Sequence, residues 1–211
     1  MRLTFFSDTH SKHHEIPHFT GGDILFHCGD ITKKGDLKEL ENFAEFISVQ
    51  DYTHKIVIAV NHDFCFEAER SLKAEMILKD QGIVYLNDSG IVIDELKIWG
   101  SPIQPKFFNW AFNRKRGNEI KKHWDLIPDD TNILITHGPP FGILDLCATG
   151  IRVGCEDLLI KVKELSNLKI HAFGHVHEDY GIKTINDVSF VNACSLNEKC
   201  RYSNEPIYIE A

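Results

Sequence analysis

Five short apolar runs in this chain each stop at side chains that bind metal ions, and that coincidence limits what it can fold into. Residues 2–7 lead into Asp8-Thr9-His10, residues 23–27 into Cys28-Gly29-Asp30, and residues 55–60 into Asn61-His62-Asp63. Residues 132–136 lead into His137-Gly138-Pro139-Pro140, and residues 169–173 into Gly174-His175-Val176-His177. The runs are β-rich, and Lys-Ile-Val-Ile-Ala-Val at 55–60 has the near-continuous β-branched character of a strand covered on both faces. Between them lie helical patterns at 36–49, 65–79, 117–125 and 156–165. The first carries Leu37, Leu40, Phe43, Ala44 and Ile47 at helical spacing. Further strands are expected at 83–86, 91–94, 96–100, 180–185, 188–191 and 207–209. Alternation of this kind predicts an α/β domain, and the strands without intervening helices predict two mixed sheets packed together.

In sheets covered by helices, ligands bind beyond the carboxyl ends of the strands. Gathering the five loops at one edge would bring Asp8, His10, Asp30, Asn61, His62, His137, His175 and His177 together. A lone Asp or His after a strand is an ordinary turn residue or cap, whereas five such strand ends are not. Oxygen and imidazole donors with a carboxylate able to bridge suit a pair of divalent cations. A donor set without thiolate is a poor structural zinc site, so the cluster reads as an open catalytic constellation. The spacing helps: in an extended segment residues i and i+2 point the same way, so both members of Asp8-x-His10 and of His175-x-His177 reach one centre.

Composition narrows the field. The 211 residues suit a single domain over 1–211. With 23 Lys+Arg against 31 Asp+Glu, the net charge of −8 argues against an extended nucleic-acid-binding surface. No apolar run approaches the roughly 20 residues that span a bilayer. Asp8 interrupts the N-terminus before a signal-peptide core develops. The six cysteines show no CxxC pairing and are expected to be reduced, mostly buried thiols, which together suggests a cytoplasmic protein without a membrane partner.

Taken in order, the five blocks resemble the signature of the calcineurin-like metallophosphoesterases. A closer likeness rests on Gly100-Ser101-Pro102-Ile103-Gln104-Pro105, Phe112-Asn113, the Thr136–Pro140 block with Asp145, and Arg152-Val153-Gly154-Cys155. These resemble the small metallophosphoesterase-domain-containing (MPPED-like) branch, related to class III cyclic nucleotide phosphodiesterases. The resemblance implies a four-layer αββα sandwich and two divalent transition-metal ions, with Mn, Fe or Zn the leading choices. It implies that Asp8, His10 and His177 hold one ion, that Asn61, His137 and His175 hold the other, and that Asp30 bridges them. His62 would lie outside that shell beside the substrate phosphate, oriented by Asp63. Ions sharing a bridging water make a hydroxide nucleophile, and His62 is then the candidate general acid for the leaving alkoxide. The implied substrate is a small phosphorylated molecule, a cyclic or other small nucleotide, cleaved as a diester in preference to a monoester.

Other signals are open to two readings. Val60 stands where the family has glycine; it either extends its strand without effect, or displaces Asn61 or His62 and weakens the second metal. The second outcome would leave a weak enzyme or a nucleotide-binding scaffold. The stretch from Lys106 to Arg116 either stacks and contacts a base, with Asn109, Phe112 and Asn113 as candidates, or packs as a loop at the core's edge. His13, His14 and His18 are expected as exposed loop residues, and His27 and His171 as core groups. Cys28 and Cys65 are expected as small buried hydrophobes, and Cys194 and Cys200 carry no assigned role.

Overall fold

Two sheets stack face to face, and each derives from the strand runs named above. The computed structural model describes residues 1–17, 19–67 and 70–210. In chain order come β1 (Arg2–Phe6), β2 (Gly22–His27), α1 (Leu37–Ser48), β3 (Tyr52–Val57), α2 (Ser71–Asp80), β4 (Val84–Tyr85), β5 (Ser89–Ile93) and β6 (Leu96–Gly100). Then follow β7 (Gln104–Pro105), β8 (Asn113–Arg114), α3 (Asn118–Trp124), β9 (Ile133–Ile135), α4 (Glu156–Glu164) and β10 (Ile170–Phe173). The chain closes with β11 (Gly181–Ile185), β12 (Val188–Asn192) and β13 (Ile207–Glu210).

The first sheet runs β13-β1-β2-β3-β4 and the second β11-β12-β10-β9-β6-β5, with β7 and β8 as a separate ribbon. β1 to β4 are mutually parallel, as are β6, β9, β10 and β12. The antiparallel strands β13, β5 and β11 lie at the margins. Parallel strands present their carboxyl ends to one edge, so every motif loop of a sheet emerges together. Ser7, just past β1, pairs with Cys194, just past β12, and Ser195 N donates to Ser7 O at 2.9 Å. That stitch joins the two sheets at the motif edge.

Alternation sorts the side chains. Leu3, Phe5, Ile24 and Phe26 of the first sheet meet Ile98, Ile133, Ile135 and Ile170 of the second in one buried cluster, with Phe5 stacked on Phe26 at 4.8 Å. The opposite faces carry Phe6, Leu25 and Val57, or Leu134, Phe173 and Phe190, and these join the apolar faces of the helices. In α1, Asp36 caps the N-terminus by accepting from Lys38 N and Glu39 N, and Leu40, Phe43, Ala44 and Ile47 form the buried stripe. α1 packs with α2 and α3 with α4, completing the four-layer αββα arrangement. No helix among the described residues is long and apolar enough to cross a membrane.

Two expectations shift. The third ladder runs Tyr52–Val57, so the chain leaves it before Val60, and residues 58–60 descend buried into a turn closed by Asp63 N→Val60 O at 2.8 Å. Of the helix expected over 65–79, the described residues form a 3-10 turn at Phe64–Phe66 and α2 from Ser71, and positions 68 and 69 lie outside the described residues. Glu67 sits between them in extended conformation, and its carboxylate accepts from Phe112 N at 2.7 Å.

Candidate metal centre

The motif loops turn sharply at their functional residues. Asp8, His10, Asp30 and His175 have φ of 55°, 41°, 56° and 69°, a left-handed region costing roughly 1–2 kcal/mol per non-glycine residue. Strain gathered in this way marks a site whose surroundings hold it. Backbone bonds do the holding: Asp8 N→Gly29 O and His10 N→Asp30 O, both at 2.9 Å. Two glycines make room. A Cβ at Gly174 would lie 2.0 Å from Asp8 Oδ2, and one at Gly29 (φ 97°) would lie 2.4 Å from Val60 Cγ2. Val60 itself is outside the left-handed region, so a β-branched residue is accommodated there without the strain its position raised.

At the centre stands Asp30. Its Oδ2 lies 3.3 Å from His137 Nε2, 3.7 Å from His10 Nε2 and 4.0 Å from His62 Nε2. Its Oδ1 accepts from His62 N at 3.0 Å. Asp8 Oδ1 lies 3.3 Å from His177 Nε2, and His175 Nδ1 is 3.1 Å from His137 Nε2. Three groups have ligand atoms mutually within 4.8 Å: Asp8, His177 and Cys194; His10, Asp30 and His62; and Asp30, His137 and His175. Asp30 belongs to two of them, the placement a bridging carboxylate needs.

Backbone carbonyls set the ring orientations. His137 Nδ1 faces Cys28 O at 3.0 Å, His177 Nδ1 faces Asn197 O at 3.1 Å, and His62 Nδ1 faces Lys33 O at 2.6 Å. A carbonyl accepts only from N–H, so each Nε2 is left to point its lone pair, or a second proton, into the centre.

The residues fit cations. Asn61 Oδ1 is buried without a hydrogen-bond donor among the described residues, and an amide oxygen in that state is suited to a positive ion. Burial opposes the charge on Asp8, yet His137, His177 and His10 outweigh it and hold the carboxyl well below its ordinary range. Burial likewise disfavours charged His137 and His177, but Asp30 and Asp8 raise both to about 9. His175 is pushed down to about 4 by burial and by the charge on His137. The carboxylates, themselves buried, therefore draw positive charge to the floor of the cleft, a demand that protons or divalent cations can meet.

The structure brings all seven candidate ligands and His62 to this edge. It separates other expectations from it. Asp63 does not touch the His62 ring; its carboxylate accepts from Ile31 N, Thr32 N, Thr32 Oγ1 and Val60 N, while Lys33 O holds the imidazole. The reason is competition: a buried carboxylate takes the amides that the turns leave unpaired. Phe112 is buried in the core, and Asn113 braces its loop through Phe107 N, Phe107 O and Phe108 O. Asn109 is exposed and is not among the residues lining the cleft. From that stretch it is Trp110 and Phe107 that wall a cleft of about 420 Å³ over His10, Asp30, Asn61 and His62. Trp110 stacks on the His62 ring at 4.2 Å.

Outlying histidines sort themselves too. His13 is buried against Phe43 and Phe46, contrary to expectation, because its 3-10 turn docks on α1. His14 is exposed, and His18 lies outside the described residues. His27 and His171 are core groups bonded to Thr9 and Thr136. Sequence reasoning missed Cys194, whose Sγ donates to Asp8 Oδ2 at 3.2 Å. Burial and Asp8 push that thiol well above its ordinary range. The expected free thiols are present, with Cys28, Cys65, Cys155 and Cys194 buried and Cys200 exposed.

Comparison with known proteins follows the same lines. Residues 1–179 match the family model of the calcineurin-like phosphoesterases. The chain is 37% identical over 230 residues to metallophosphoesterase domain-containing protein 1 of Homo sapiens, covering 99% of this chain and 70% of that protein. It is also 37% identical to UPF0046 protein C25E10.12 of Caenorhabditis elegans, covering 100% of this chain and 80% of the relative. The crystal structure of TT1561 of Thermus thermophilus shares the fold, with a TM-score of 0.60, 13% identity, and coverage of 90% of this chain and 88% of that one.

Proposed function

Because the chain belongs to the calcineurin-like phosphoesterases, in the branch of the metallophosphoesterase domain-containing proteins, it is a metal-dependent phosphoesterase, and we propose that it hydrolyses phosphodiester bonds of a small nucleotide at the Asp30 centre. The observation that carries this reading is one carboxylate, Asp30, shared between two donor groups beside Asn61 Oδ1, which no donor among the described residues reaches. Asp8, His10 and His177 would hold one divalent ion, Asn61, His137 and His175 the other, and Asp30 both; Mn, Fe and Zn suit these donors. When bound, such ions activate water at neutral pH and draw charge from the phosphoryl oxygens.

The remaining work falls to the chain itself. His62 has Nδ1 committed to Lys33 O, which turns Nε2 towards the cleft. From there it is placed to hand a proton to the departing alkoxide. Trp110 covers one face of the ring and keeps its plane. Asp63 fixes the His62 turn from beneath by gathering the backbone amides of Ile31, Thr32 and Val60. The unstrained Val60 supports an enzyme over a non-catalytic scaffold. A small phosphorylated partner, a single working domain and a reducing compartment such as the cytoplasm complete the reading, the last supported by free cysteines.

The test begins with chelated protein reloaded with Mn²⁺ and assayed on bis-p-nitrophenyl phosphate and on cyclic nucleotides. Turnover is expected only after reloading. His62→Ala should lower kcat about 10²–10⁴-fold with metal content unchanged. The loss should be greater for alkyl esters than for p-nitrophenolate, which leaves without a proton. Fully loaded protein that cleaves neither substrate would overturn the assignment.

A further inference from the structure

The loop between β7 and β8 reaches across to the turn that carries His62 and is fastened to it at several points. Ala111 N donates to Asn61 O at 3.1 Å. The Trp110 ring lies over the turn, stacked on His62 at 4.2 Å and tilted against Phe64 at 6.0 Å. Phe112 N donates to the carboxylate of Glu67 at 2.7 Å. Glu67 is tied to the same turn, because its own N–H donates to Phe64 O at 3.1 Å.

The bond to Glu67 sits where the loop is strained. Phe112 has φ of 56°, and a bulky residue in the left-handed region persists only where its surroundings impose it. Its ring is clamped in the core, and its N–H meets a carboxylate, a bond roughly twice as strong as one between neutral groups. Phe112 O accepts from Gln104 N at 3.3 Å, which closes the base of the loop. With residue 112 fixed in this way, Trp110 two positions earlier is delivered onto the imidazole. Without the carboxylate, Phe112 N loses its acceptor, and the backbone is free to leave the left-handed region and carry Trp110 with it.

His62 needs that support. Its side chain is 25% exposed, and the bond from Nδ1 to Lys33 O fixes one point of the ring but not its plane. The stacked indole fixes the plane. Glu67 is not among the residues lining the cleft, so its influence on the cleft passes through the loop.

We infer that Glu67 is a positioning residue for the reaction: through Phe112 N it holds Trp110 against His62, and so aims His62 Nε2 at the departing group. The inference rests on the phosphoesterase reading above and extends it to a residue outside the cleft.

Glu67→Ala and Glu67→Gln, loaded with Mn²⁺, test it against the unmodified chain on two substrates. The leaving group of a cyclic nucleotide is an alkoxide, whereas that of bis-p-nitrophenyl phosphate needs no proton. Glu67→Ala should lower kcat on the cyclic nucleotide about 10-fold, part of the roughly 10²-fold that a misplacement of 1 Å can cost. Its kcat on the p-nitrophenyl ester, both KM values and its metal content should hold. Glu67→Gln keeps an acceptor, about half as strong, and should recover most of the loss. Glu67→Leu, which keeps the bulk without the acceptor, replaces Glu67→Ala if the smaller side chain does not fold. A second readout needs no turnover. In the metal-free chain the His62 ring protons are shielded by the indole face, and their NMR resonances should move downfield in Glu67→Ala and return in Glu67→Gln. Equal losses on the two substrates, no loss at all, or resonances that stay in place would each overturn the role of Glu67. If the loaded unmodified chain cleaves neither substrate, the phosphoesterase reading fails and the role of Glu67 in the reaction fails with it. If it cleaves only the p-nitrophenyl ester, no alkoxide departs, and the role of Glu67 falls while the phosphoesterase reading stands.

Discussion

The two sheet edges that meet at the centre are built alike and equipped differently. Beneath the first, Thr9 Oγ1 lies 3.2 Å from His27 Nε2; beneath the second, Thr136 Oγ1 lies 2.9 Å from His171 Nε2. Each brace ties a buried strand imidazole to a threonine beside the motif loop. Above that common footing the donors diverge. The first edge carries Asp8, Asp30 and Asn61, every oxygen donor among the candidate ligands, together with His10 and His62. The second carries His137, His175 and His177, nitrogen alone. Closing the sandwich therefore brings acids to bases across a seam, with Asp30 facing His137 and Asp8 facing His177. A repeated scaffold has been divided by charge, and the centre exists only where both halves are present.

Removing the acid at the seam should have the largest effect. Asp30→Asn keeps the shape and deletes the charge that His137, His10 and both donor groups share. Turnover should fall on the order of 10³-fold, as for loss of a principal electrostatic group, and elemental analysis should show less than full metal loading. In the metal-free protein, the His137 proton, held to about 9, should leave at lower pH, which an NMR titration reads directly. Unchanged turnover would mean that the edges are coupled through some other residue.

Steric coupling comes next. The Cβ of Gly174→Ala, on the second edge, would collide with Asp8 Oδ2 and Ser7 Oγ on the first. Overpacking of this kind costs about 1–3 kcal/mol, read as a lower urea midpoint, with metal affinity lowered as well. Gly138→Ala is the control on the same edge. Nothing lies within 4 Å of its added Cβ, and its stability should be unchanged.

The division of labour was legible in part. Strand ends, donor types and the α1 stripe follow from local spacing, so Asp8, Asp30, His137 and their neighbours could be named from the chain alone. What escaped was whatever depends on a distant backbone. Lys33 contributes only a carbonyl, which every residue has, and Cys194 meets Asp8 across 186 positions. The family resemblance pairs Asp63 with its chain neighbour His62, whereas the fold offers its carboxylate unpaired amides. In the aromatic stretch the residue types were right for a cleft wall. The turn of the loop, with Phe112 at φ 56°, decided that Trp110 and Phe107 face the cleft and that Phe112 faces the core.

The common footing predicts equal acid sensitivity from both sides. Burial pushes His27 and His171 down to about 3, so the folded protein keeps both neutral. Unfolded, each takes a proton near 6.5. Below that pH the unfolded state binds more protons, and stability that is fully present above pH 6.5 drains away towards pH 3. Between pH 6.5 and 5 the loss should be about 2 kcal/mol for each histidine. His27→Gln and His171→Gln should each flatten the denaturation profile by that amount. A markedly smaller change for one of them would show that the two footings are not equivalent.

The smallest effect belongs to the residue that crosses the seam without a charge. Cys194 follows β12 of the second sheet, and its Sγ donates to Asp8 Oδ2 of the first. Because burial and Asp8 hold the thiol protonated, it acts in the metal-free protein as a donor that steadies the carboxylate. Cys194→Ala removes that donor without adding charge and should weaken metal binding about 10-fold, the lower range for groups that orient a ligand. Cys194→Ser restores a hydroxyl donor and should recover affinity to within about 2-fold. A thiolate ligand would behave in the opposite way, since serine could not replace it and Co²⁺ loading would produce a sulfur-to-metal charge-transfer band. Recovery by serine with no such band keeps the second edge's own ligands to nitrogen, and the seam remains a meeting of oxygen with imidazole.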